Sequence, residues 1–190
     1  MVQILGTHLL SDKKYMLKEV SFRLEREGNA GNEQKREVYE RKNSATILLY
    51  NADNRTVVLT RQFRLPTYLN GNSSGLMVES CAGIIDEGEL PEEGIRREAL
   101  EETGYRVDKL EKVFEAYMSP ASVTELIHFY IAPYTPDRKE TEGGGLEEEN
   151  EYIEVLELPF DEAYAMIASG GIKDAKTIML LQYVKLQGIL

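Results

Sequence analysis

The stretch GIIDEGELPEEGIRREALEETGY, residues 83–105, gathers acidic side chains on one predicted helix. Pro91 suits the first turn of a helix and Gly104 suits its end, so LPEEGIRREALEETG is predicted to be helical. Successive helical residues advance by about 100° around the axis. One arc, which can face a core, carries Ile95, Ala99, Leu100 and Thr103. A second arc carries three glutamates, Glu98, Glu101 and Glu102.

The three glutamates destabilise the helix that carries them. Like charges one turn apart cost roughly 0.2–0.5 kcal/mol per pair, and these lie near the negative end of the helix dipole. An ordinary solvated acidic face tolerates that cost, and this is the simpler interpretation for an isolated EALEE. A second interpretation is a site for a hard divalent cation such as Mg²⁺, which binds carboxylate oxygens together with substrate phosphates.

The residues around the helix favour the metal site. Gly83 allows close approach of the backbone, and Glu89 lies near the helix start, where a carboxylate is favoured. Arg97 is the only cation within REALEETGY, residues 97–105. Its guanidinium is suited to hold one glutamate by a forked hydrogen bond.

The composition is that of a globular protein. A chain of 190 residues, 42% hydrophobic and 29% charged, predicts one domain with a core and a small accessory part. No run approaches the roughly 18 apolar residues of a membrane span. The first residues, MVQILGTHLLSDKK, lack a signal-peptide pattern, so we expect a cytoplasmic protein that does not bind membranes. The single cysteine, Cys81, lies in an apolar run and is predicted to be a buried, inert thiol.

The net charge restricts the classes of partner. A value of −11, with a pI of about 4.8, argues against nucleic-acid binding through a broad basic surface. The same charge is unfavourable for an enzyme of anionic substrates, unless metal cations lie between the protein and the substrate.

Strand patterns dominate the rest of the chain. KEVSFRL and REVYER predict an N-terminal two-stranded ribbon, and ATILLY and TVVLTRQF predict a hairpin around NADNR. Further single strands are predicted at GLMVESCAG, KVFEAYM, ELIHFYIAPY and YIEVLEL. Two helices are predicted at DEAYAMIASGG, with Asp161 as N-cap, and at DAKTIMLLQYVKLQG. This order indicates an α/β sandwich over a mixed sheet.

The acidic helix and its flanks resemble a known motif. Five residues separate Gly83 from Glu89, and seven separate Glu89 from REALEETGY, which is the spacing of the Nudix box at every fixed position. The chain therefore resembles the Nudix hydrolases, whose fold is an α/β/α sandwich. Beyond the 23 residues of the box, other segments are similar to the GDP-mannose pyrophosphatases of that superfamily, a branch close to the ADP-ribose pyrophosphatases. These segments are KREVYERKNSATILLYN, RQFR, ESCAGIIDE, YMSP with VTELIHF, and IEVLELPF with KDAKT.

The resemblance implies a metal-dependent hydrolase of nucleoside diphosphate sugars. It implies cleavage of GDP-mannose to GMP and mannose 1-phosphate with Mg²⁺, or with Mn²⁺ as the alternative ion. The implied metal ligands are the carbonyl of Ala82 and the carboxylates of Glu98, Glu102 and a glutamate in the loop TEGGGLEEENEYIE, with Glu101 in support. Alignment backwards from IEVLELPF favours Glu151 as this catalytic glutamate, and Glu149 or Glu148 is the alternative. The glycines 143–145 suggest a mobile loop that closes over the substrate.

The resemblance also implies which residues hold the substrate and how chains pair. The implied substrate-binding residues are Tyr15, Lys35, Arg36, Glu37, Arg64, Ala82, Gly83, Ile84, Glu125 and Lys176. Arg61, which lies with Arg64 in RQFR, is an additional candidate. His128, in an apolar strand, is predicted to be structural. We expect residues 1–43 to form a β domain for dimerisation and substrate contacts, and 44–190 to form the Nudix domain, in a homodimer with exchanged N-terminal strands.

Two other functions stay open at this point. The first is hydrolysis of ADP-ribose or another nucleoside diphosphate sugar, which the same box supports. The second is a non-catalytic Nudix module for ligand sensing or scaffolding. Modules of that kind usually lose glutamates of the box, whereas this chain keeps all of them.

Overall fold

The structure, a computed structural model, describes residues 1–26, 29–146, 148 and 152–190. The strands of this part are β1 (Val2–Asp12), β2 (Met16–Arg26), β3 (Asn29–Glu40), β4 (Ser44–Asn51), β5 (Thr56–Phe63), β6 (Leu76–Glu79), β7 (Cys81–Ile84), β8 (Glu111–Tyr117), β9 (Leu126–Pro133) and β10 (Glu154–Pro159). The helices are α1 (Leu65–Leu69), α2 (Pro91–Thr103), α3 (Phe160–Ser169) and α4 (Ala175–Leu186), with a 3₁₀ turn at Pro136–Arg138. Across these ranges no helix combines the length and the apolar character that crossing a membrane requires.

The chain divides into two compact units. The first combines Met1–Asn43 with Tyr117–Leu126, and the second combines Ser44–Ala116 with Ile127–Leu190. In the first unit β1, β2 and β3 form an antiparallel sheet in that order. The sequence pattern predicts two of these strands but misses β1, because its pairing with β2 shifts register between Ile4 and Gly6 and again between Leu9 and Ser11. Such irregularities interrupt the period of two by which strands are recognised.

The second unit is built on a mixed seven-stranded sheet. Its main path is β10-β5-β4-β9-β8, and β6 and β7 extend it by pairing with β5 and β4. The pairing of β4 with β9 is parallel, while β5, β7 and β10 pair antiparallel with their neighbours. The predicted hairpin is confirmed: β4 and β5 pair from Leu49 with Val58 to Asn51 with Thr56. Its turn is closed by the Asn54 N–H, which donates to Asn51 Oδ1 at 2.9 Å.

Helices cover both faces of the central strand β4, whose first six residues are all buried. Ala45, Ile47 and Leu49 belong to one core cluster together with Ile95 and Ala99 of α2. The intervening Thr46 points to the other face, since alternate strand residues point in opposite directions. There it hydrogen-bonds to Ser80, whose N–H in turn donates to Thr177 of α4. The α/β sandwich over a mixed sheet that the sequence predicts is therefore confirmed.

Two local predictions are wrong. GLMVESCAG forms two strands rather than one. Its first part, β6, pairs with β5 as far as Glu79, and its second part, β7, pairs with β4 from Cys81 onwards. Between them the Ser80 N–H is satisfied by a side chain, the Thr177 hydroxyl at 2.6 Å. Asp161 is not the N-cap of α3, since Pro159 occupies that position and Asp161 lies in the first turn. A carboxylate in the first turn still interacts favourably with the helix dipole.

Candidate active site

Helix α2 begins and ends where the sequence predicts. Pro91 is its first residue, and Gly104 follows it with a φ of 78°, the left-handed conformation that glycine adopts without strain. Ile95, Ala99 and Thr103 are fully buried, which confirms most of the predicted core arc, whereas Leu100 is only half-buried. This packing fixes the rotation of the helix and so fixes where its glutamates point.

Glu98 lies directly over the backbone of β7. A Cβ atom added to Gly83 would come within 1.8 Å of Cδ and 2.0 Å of Oε1 of Glu98. No other residue type fits at position 83 while Glu98 holds this conformation. The close backbone approach that the sequence predicts for Gly83 is therefore confirmed, and the group that approaches it is the carboxylate of Glu98.

Glu102 is the buried member of the acidic arc. Only 3% of the residue is exposed, and its Oε2 accepts the N–H of Ala82 at 3.2 Å. Burial raises the pKa of the neighbouring Cys81 thiol well above its ordinary value, and the charge of Glu102 raises it further. The prediction that Cys81 is buried is confirmed, and its raised pKa agrees with an inert thiol. Glu98 and Glu102 flank the same two residues of β7, Ala82 and Gly83.

Arg97 balances the charge beside these carboxylates. Its Nε and Nη2 reach Oε1 and Oε2 of Glu89, both at 3.2 Å, which confirms the predicted fork. Its Nη1 also donates to Glu98 at 2.9 Å and to Glu101 at 3.1 Å. The hydrogen bond to Glu89 is the main reason that the pKa of Arg97 lies above its ordinary value, and the same bond lowers the pKa of Glu89. A further hydrogen bond joins Arg97 to the carbonyl of Ile84 at 3.4 Å.

The glycines at the start of the acidic loop are hydrogen-bonded to the last turn of α2. The N–H groups of Gly144 and Gly145 donate to the carbonyls of Glu102 and Glu101 at 2.9 and 3.1 Å. All three glycines of this loop have positive φ, and a Cβ at Gly143 would lie 2.5 Å from the carbonyl oxygen of Glu102. The sequence interpretation treats these glycines as a source of mobility, whereas the structure uses them to bring the loop backbone against the helix end.

Two predicted substrate residues meet at a buried carboxylate. Arg64 Nε lies 2.7 Å from Oε2 of Glu79, and Lys176 Nζ lies 3.7 Å from Oε1 of the same residue. Only 7% of the Glu79 side chain is exposed. Sequence reasoning missed Glu79, because its partners are distant in the chain and no local pattern marks it. The additional candidate, Arg61, instead forms an ion pair with Glu154 on the neighbouring strand β10.

In the N-terminal unit, Arg41 joins two more predicted residues. Its guanidinium lies 4.8 Å from the centre of the Tyr15 ring, and its Nη1 lies 3.4 Å from Oε2 of Glu125. Tyr39 packs edge-on against Tyr15, with ring centres 5.7 Å apart. Sequence reasoning missed Arg41 as well, since a lone arginine after a strand carries no signal of its own.

The three remaining candidates of this unit follow one another on β3. Lys35 donates to Glu19 at 2.9 Å, and Arg36 donates to the carbonyl of Lys35 at 2.7 Å. Glu37 lies opposite Glu19 in the pairing with β2. Neighbouring strand residues point to opposite faces of a sheet. Lys35 and Glu37 therefore share one face and Arg36 lies on the other, so the trio does not converge on one point of this sheet.

His128 is buried in β9. Its Nδ1 lies 3.1 Å from Oε1 of Glu115 but makes no hydrogen bond within the described residues. Glu115 instead accepts a hydrogen bond from Lys112 Nζ. His128 lies on β9, on the opposite side of β4 from Gly83, and its structural role stays a prediction.

Comparison with protein families supports what the box geometry indicates. Residues 40–181 match the NUDIX domain. The chain belongs to the Nudix family. Its residues 1–39 match a second description, the GDP-mannose pyrophosphatase NudK N-terminal domain. The Nudix assignment thus covers β4 to β10, the α2 helix and the acidic loop, and the N-terminal match covers nearly all of the three-stranded sheet.

Curated relatives of this Nudix chain share its full length. A "GDP-mannose pyrophosphatase" of Yersinia enterocolitica is 54% identical over 189 residues, which is 100% of this chain and 97% of the relative. Proteins of the same name from Yersinia pestis (strain Pestoides F) and Pectobacterium atrosepticum are also 54% identical. They cover 97% and 98% of this chain, and 92% and 95% of their own lengths.

Nudix enzymes use divalent metal ions, and the box of this chain fits one. Glu98 and Glu102 place two carboxylates beside the Ala82 and Gly83 backbone, and hard cations such as Mg²⁺ are commonly held by one or two carboxylates plus substrate phosphates. Over residues 1–26, 29–146, 148 and 152–190, no cluster of three acidic, His or Cys side chains is arranged to hold an ion. The remaining predicted ligand, Glu151, lies outside the described residues, as does its alternative Glu149.

Proposed function

We propose that this Nudix enzyme hydrolyses the pyrophosphate bond of GDP-mannose to GMP and mannose 1-phosphate, using Mg²⁺, with Mn²⁺ as the alternative ion. The observation that carries the proposal is the convergence of Glu98 and Glu102 on the Ala82 and Gly83 backbone. The choice of substrate rests on full-length similarity to proteins named GDP-mannose pyrophosphatase.

The reaction needs the protein to overcome charge repulsion. Water must attack one phosphorus of the pyrophosphate, the bridging P–O bond must break, and a base must take the proton of the water. A bound divalent ion supplies the charge that neutralises the phosphate oxygens and makes the water more acidic. In this proposal Glu98 and Glu102 would hold the ion, Arg64 and Lys176 would bind the phosphates, and a further residue of the chain would supply the base.

We assign the base to Glu151 of the acidic loop. Its position two residues before Ile153 supports this, because the Ile153 N–H bonds to the Gly144 carbonyl at 3.1 Å and so ties the loop end to its start. The start of the loop is itself bonded to the last turn of α2, which carries Glu102. Glu101 serves as support, since it shares Arg97 with Glu98.

The N-terminal residues are assigned to the nucleoside or the sugar. Tyr15 offers an aromatic face for stacking and Glu37 offers an acceptor for a purine edge, and Lys35, Arg36 and Glu125 are the further residues assigned to this part of the substrate. We propose that residues 1–43 form a β domain separate from the Nudix domain, 44–190. We also propose that the enzyme is cytoplasmic.

A homodimer with exchanged N-terminal strands is part of the proposal. Strand β1 supports it, because Val2, Ile4, Leu5, Leu9 and Leu10 are between 38% and 60% exposed. An apolar edge strand exposed over this length favours pairing with another chain.

A panel of substrates tests the activity and its specificity. The purified protein with Mg²⁺ should hydrolyse GDP-mannose with a higher kcat/KM than ADP-ribose or ADP-mannose, because an enzyme discriminates substrates by how well it binds their transition states and the full-length relatives are named for GDP-mannose. Product analysis should give GMP and mannose 1-phosphate. A preference for ADP-ribose would favour the alternative function, ADP-ribose hydrolysis. A protein that hydrolyses no member of the panel would favour the non-catalytic module.

Replacing Arg64 should weaken substrate binding more than chemistry. Arg64→Ala is expected to raise KM roughly 10- to 100-fold, the value of one charge-assisted contact, with a smaller change in kcat. Steady-state kinetics with GDP-mannose measures both. Arg138→Ala, which removes an arginine paired with Asp108, is the control and should leave KM unchanged. A variant of Arg64 with normal KM and only a lowered melting temperature would assign Arg64 to structure.

A further inference from the structure

Glu79 lies at the point where β6 ends and carries a buried carboxylate between two cations. One oxygen is 2.7 Å from Arg64 Nε, and the other is 3.7 Å from Lys176 Nζ. Burying a carboxylate is unfavourable unless charges and hydrogen bonds compensate it. Here the compensation comes from two side chains of separate elements, which are thereby brought to one place.

The second cation is held from two sides. Lys176 Nζ also donates to Asp174 Oδ1 at 2.6 Å, and the other oxygen of Asp174 accepts both the N–H and the hydroxyl of Thr177 at the start of α4. The Thr177 hydroxyl accepts the N–H of Ser80, the residue after Glu79. Glu79 thus connects Arg64 to the polar network of Lys176, Asp174, Thr177 and Ser80. Ser80 is the residue immediately before β7.

The contact with Arg64 leaves the end of the guanidinium available. Glu79 engages Nε, and among the residues that the structure describes Arg64 makes no other ion pair. Its side chain is 40% exposed, compared with 17% for Lys176. A guanidinium fixed through Nε can present both Nη groups to one phosphate, the paired contact for which arginine is suited.

We propose that Glu79 is a positioning residue that holds Arg64 and Lys176 as a preorganised pair of cations for the pyrophosphate of the substrate. The proposal rests on the proposed function, since it needs both cations to bind phosphate. Glu79 itself does not touch the substrate. Because Glu79 already holds both side chains in place, substrate binding does not have to order them. Ordering two long side chains at each binding event would weaken binding.

The test is the kinetics of Glu79→Gln and Glu79→Asp. Glutamine keeps the shape of the side chain and removes its charge, while aspartate keeps the charge and withdraws it from Arg64. Both should raise KM, by about 5- to 20-fold for Glu79→Gln, with kcat changed less than about threefold. The rise should be the same factor for every nucleoside diphosphate sugar that the wild type hydrolyses, because all share the pyrophosphate.

Asp108→Asn is the matched control. Asp108 also lies between two cations, at 3.3 Å from Arg106 and 2.9 Å from Arg138, but its side chain is 44% exposed. This substitution should leave KM unchanged. In the background of Arg64→Ala with Lys176→Ala, adding Glu79→Gln should raise KM no further, because nothing remains to be positioned.

Each outcome decides the proposal. Raised KM in both Glu79 variants, absent in the double-alanine background, supports it. Normal KM with a lowered melting temperature, or a full additional rise in that background, overturns it. A wild-type protein that hydrolyses no substrate of the panel is a different result, because it refutes the proposed function before any variant is made. If Glu79→Gln does not fold, normal KM in Glu79→Asp is sufficient to reject the proposal.

Discussion

Replacing Glu102 by glutamine should lower kcat/KM by at least roughly 10²-fold while the fold survives, because metal-ion stabilisation of a transition state is worth several kcal/mol. Glu102 is 3% exposed, and glutamine retains an oxygen that can accept the Ala82 N–H. The variant also removes one of the like charges that face Glu98 on α2. Its melting temperature without metal should therefore equal or slightly exceed that of the wild type.

Two measurements separate this expectation from a general loss of structure. Calorimetric titration with Mg²⁺ should show weaker binding in Glu102→Gln and in Glu98→Gln. Glu93→Gln is the matched control on the same helix, because among the described residues Glu93 accepts a hydrogen bond from the Leu90 N–H in the first turn and from no other group. It should keep activity and metal binding. Unchanged turnover in Glu102→Gln would remove the box from the catalytic mechanism.

The centre of this site could be predicted from the sequence because its acidic helix lies in one short stretch, and that same stretch carries the resemblance to the Nudix box. The turn of an α-helix fixes how Glu98 and Glu102 are spaced, and Pro91 and Gly104 fix where the helix begins and ends. Gly83 lies in the same stretch, and its lack of a side chain leaves room for the carboxylate of Glu98 over the β7 backbone. Contacts within about twenty residues of chain are the ones that such patterns encode.

The parts that sequence reasoning missed depend on distant residues. Glu79 gains its role only when α1, β6 and α4 bring residues 64, 79 and 176 together. The break at Ser80 is likewise stabilised by Thr177, almost a hundred residues further along the chain. Strand β1 was missed for a different reason, since its two register shifts disrupt the alternation of side chains. Tertiary contacts and bulges thus limit what periodicity can predict.

The second large effect is expected in the acidic loop. Glu151→Gln should lower kcat by roughly 10²- to 10⁴-fold, the usual contribution of a general base. The loop offers its own controls, because Glu148→Gln and Glu149→Gln remove the same charge from the same segment. Both should keep activity near that of the wild type. A large loss in either of them, with nearly normal activity in Glu151→Gln, would reassign the base to that residue.

The pH profile distinguishes a base from a residue that only contributes charge. In the wild type, kcat should fall at low pH as the catalytic carboxylate takes up a proton and can no longer accept one from water. An amide cannot titrate in this range, so Glu151→Gln should lose the part of the acidic limb that Glu151 contributes, while the part that comes from protonation of Glu98 and Glu102 remains. Glu148→Gln should retain the full acidic limb. A variant at position 151 that is slow but keeps the full acidic limb would show that the proton goes elsewhere, even though the loop ends are fixed against the helix that carries Glu102.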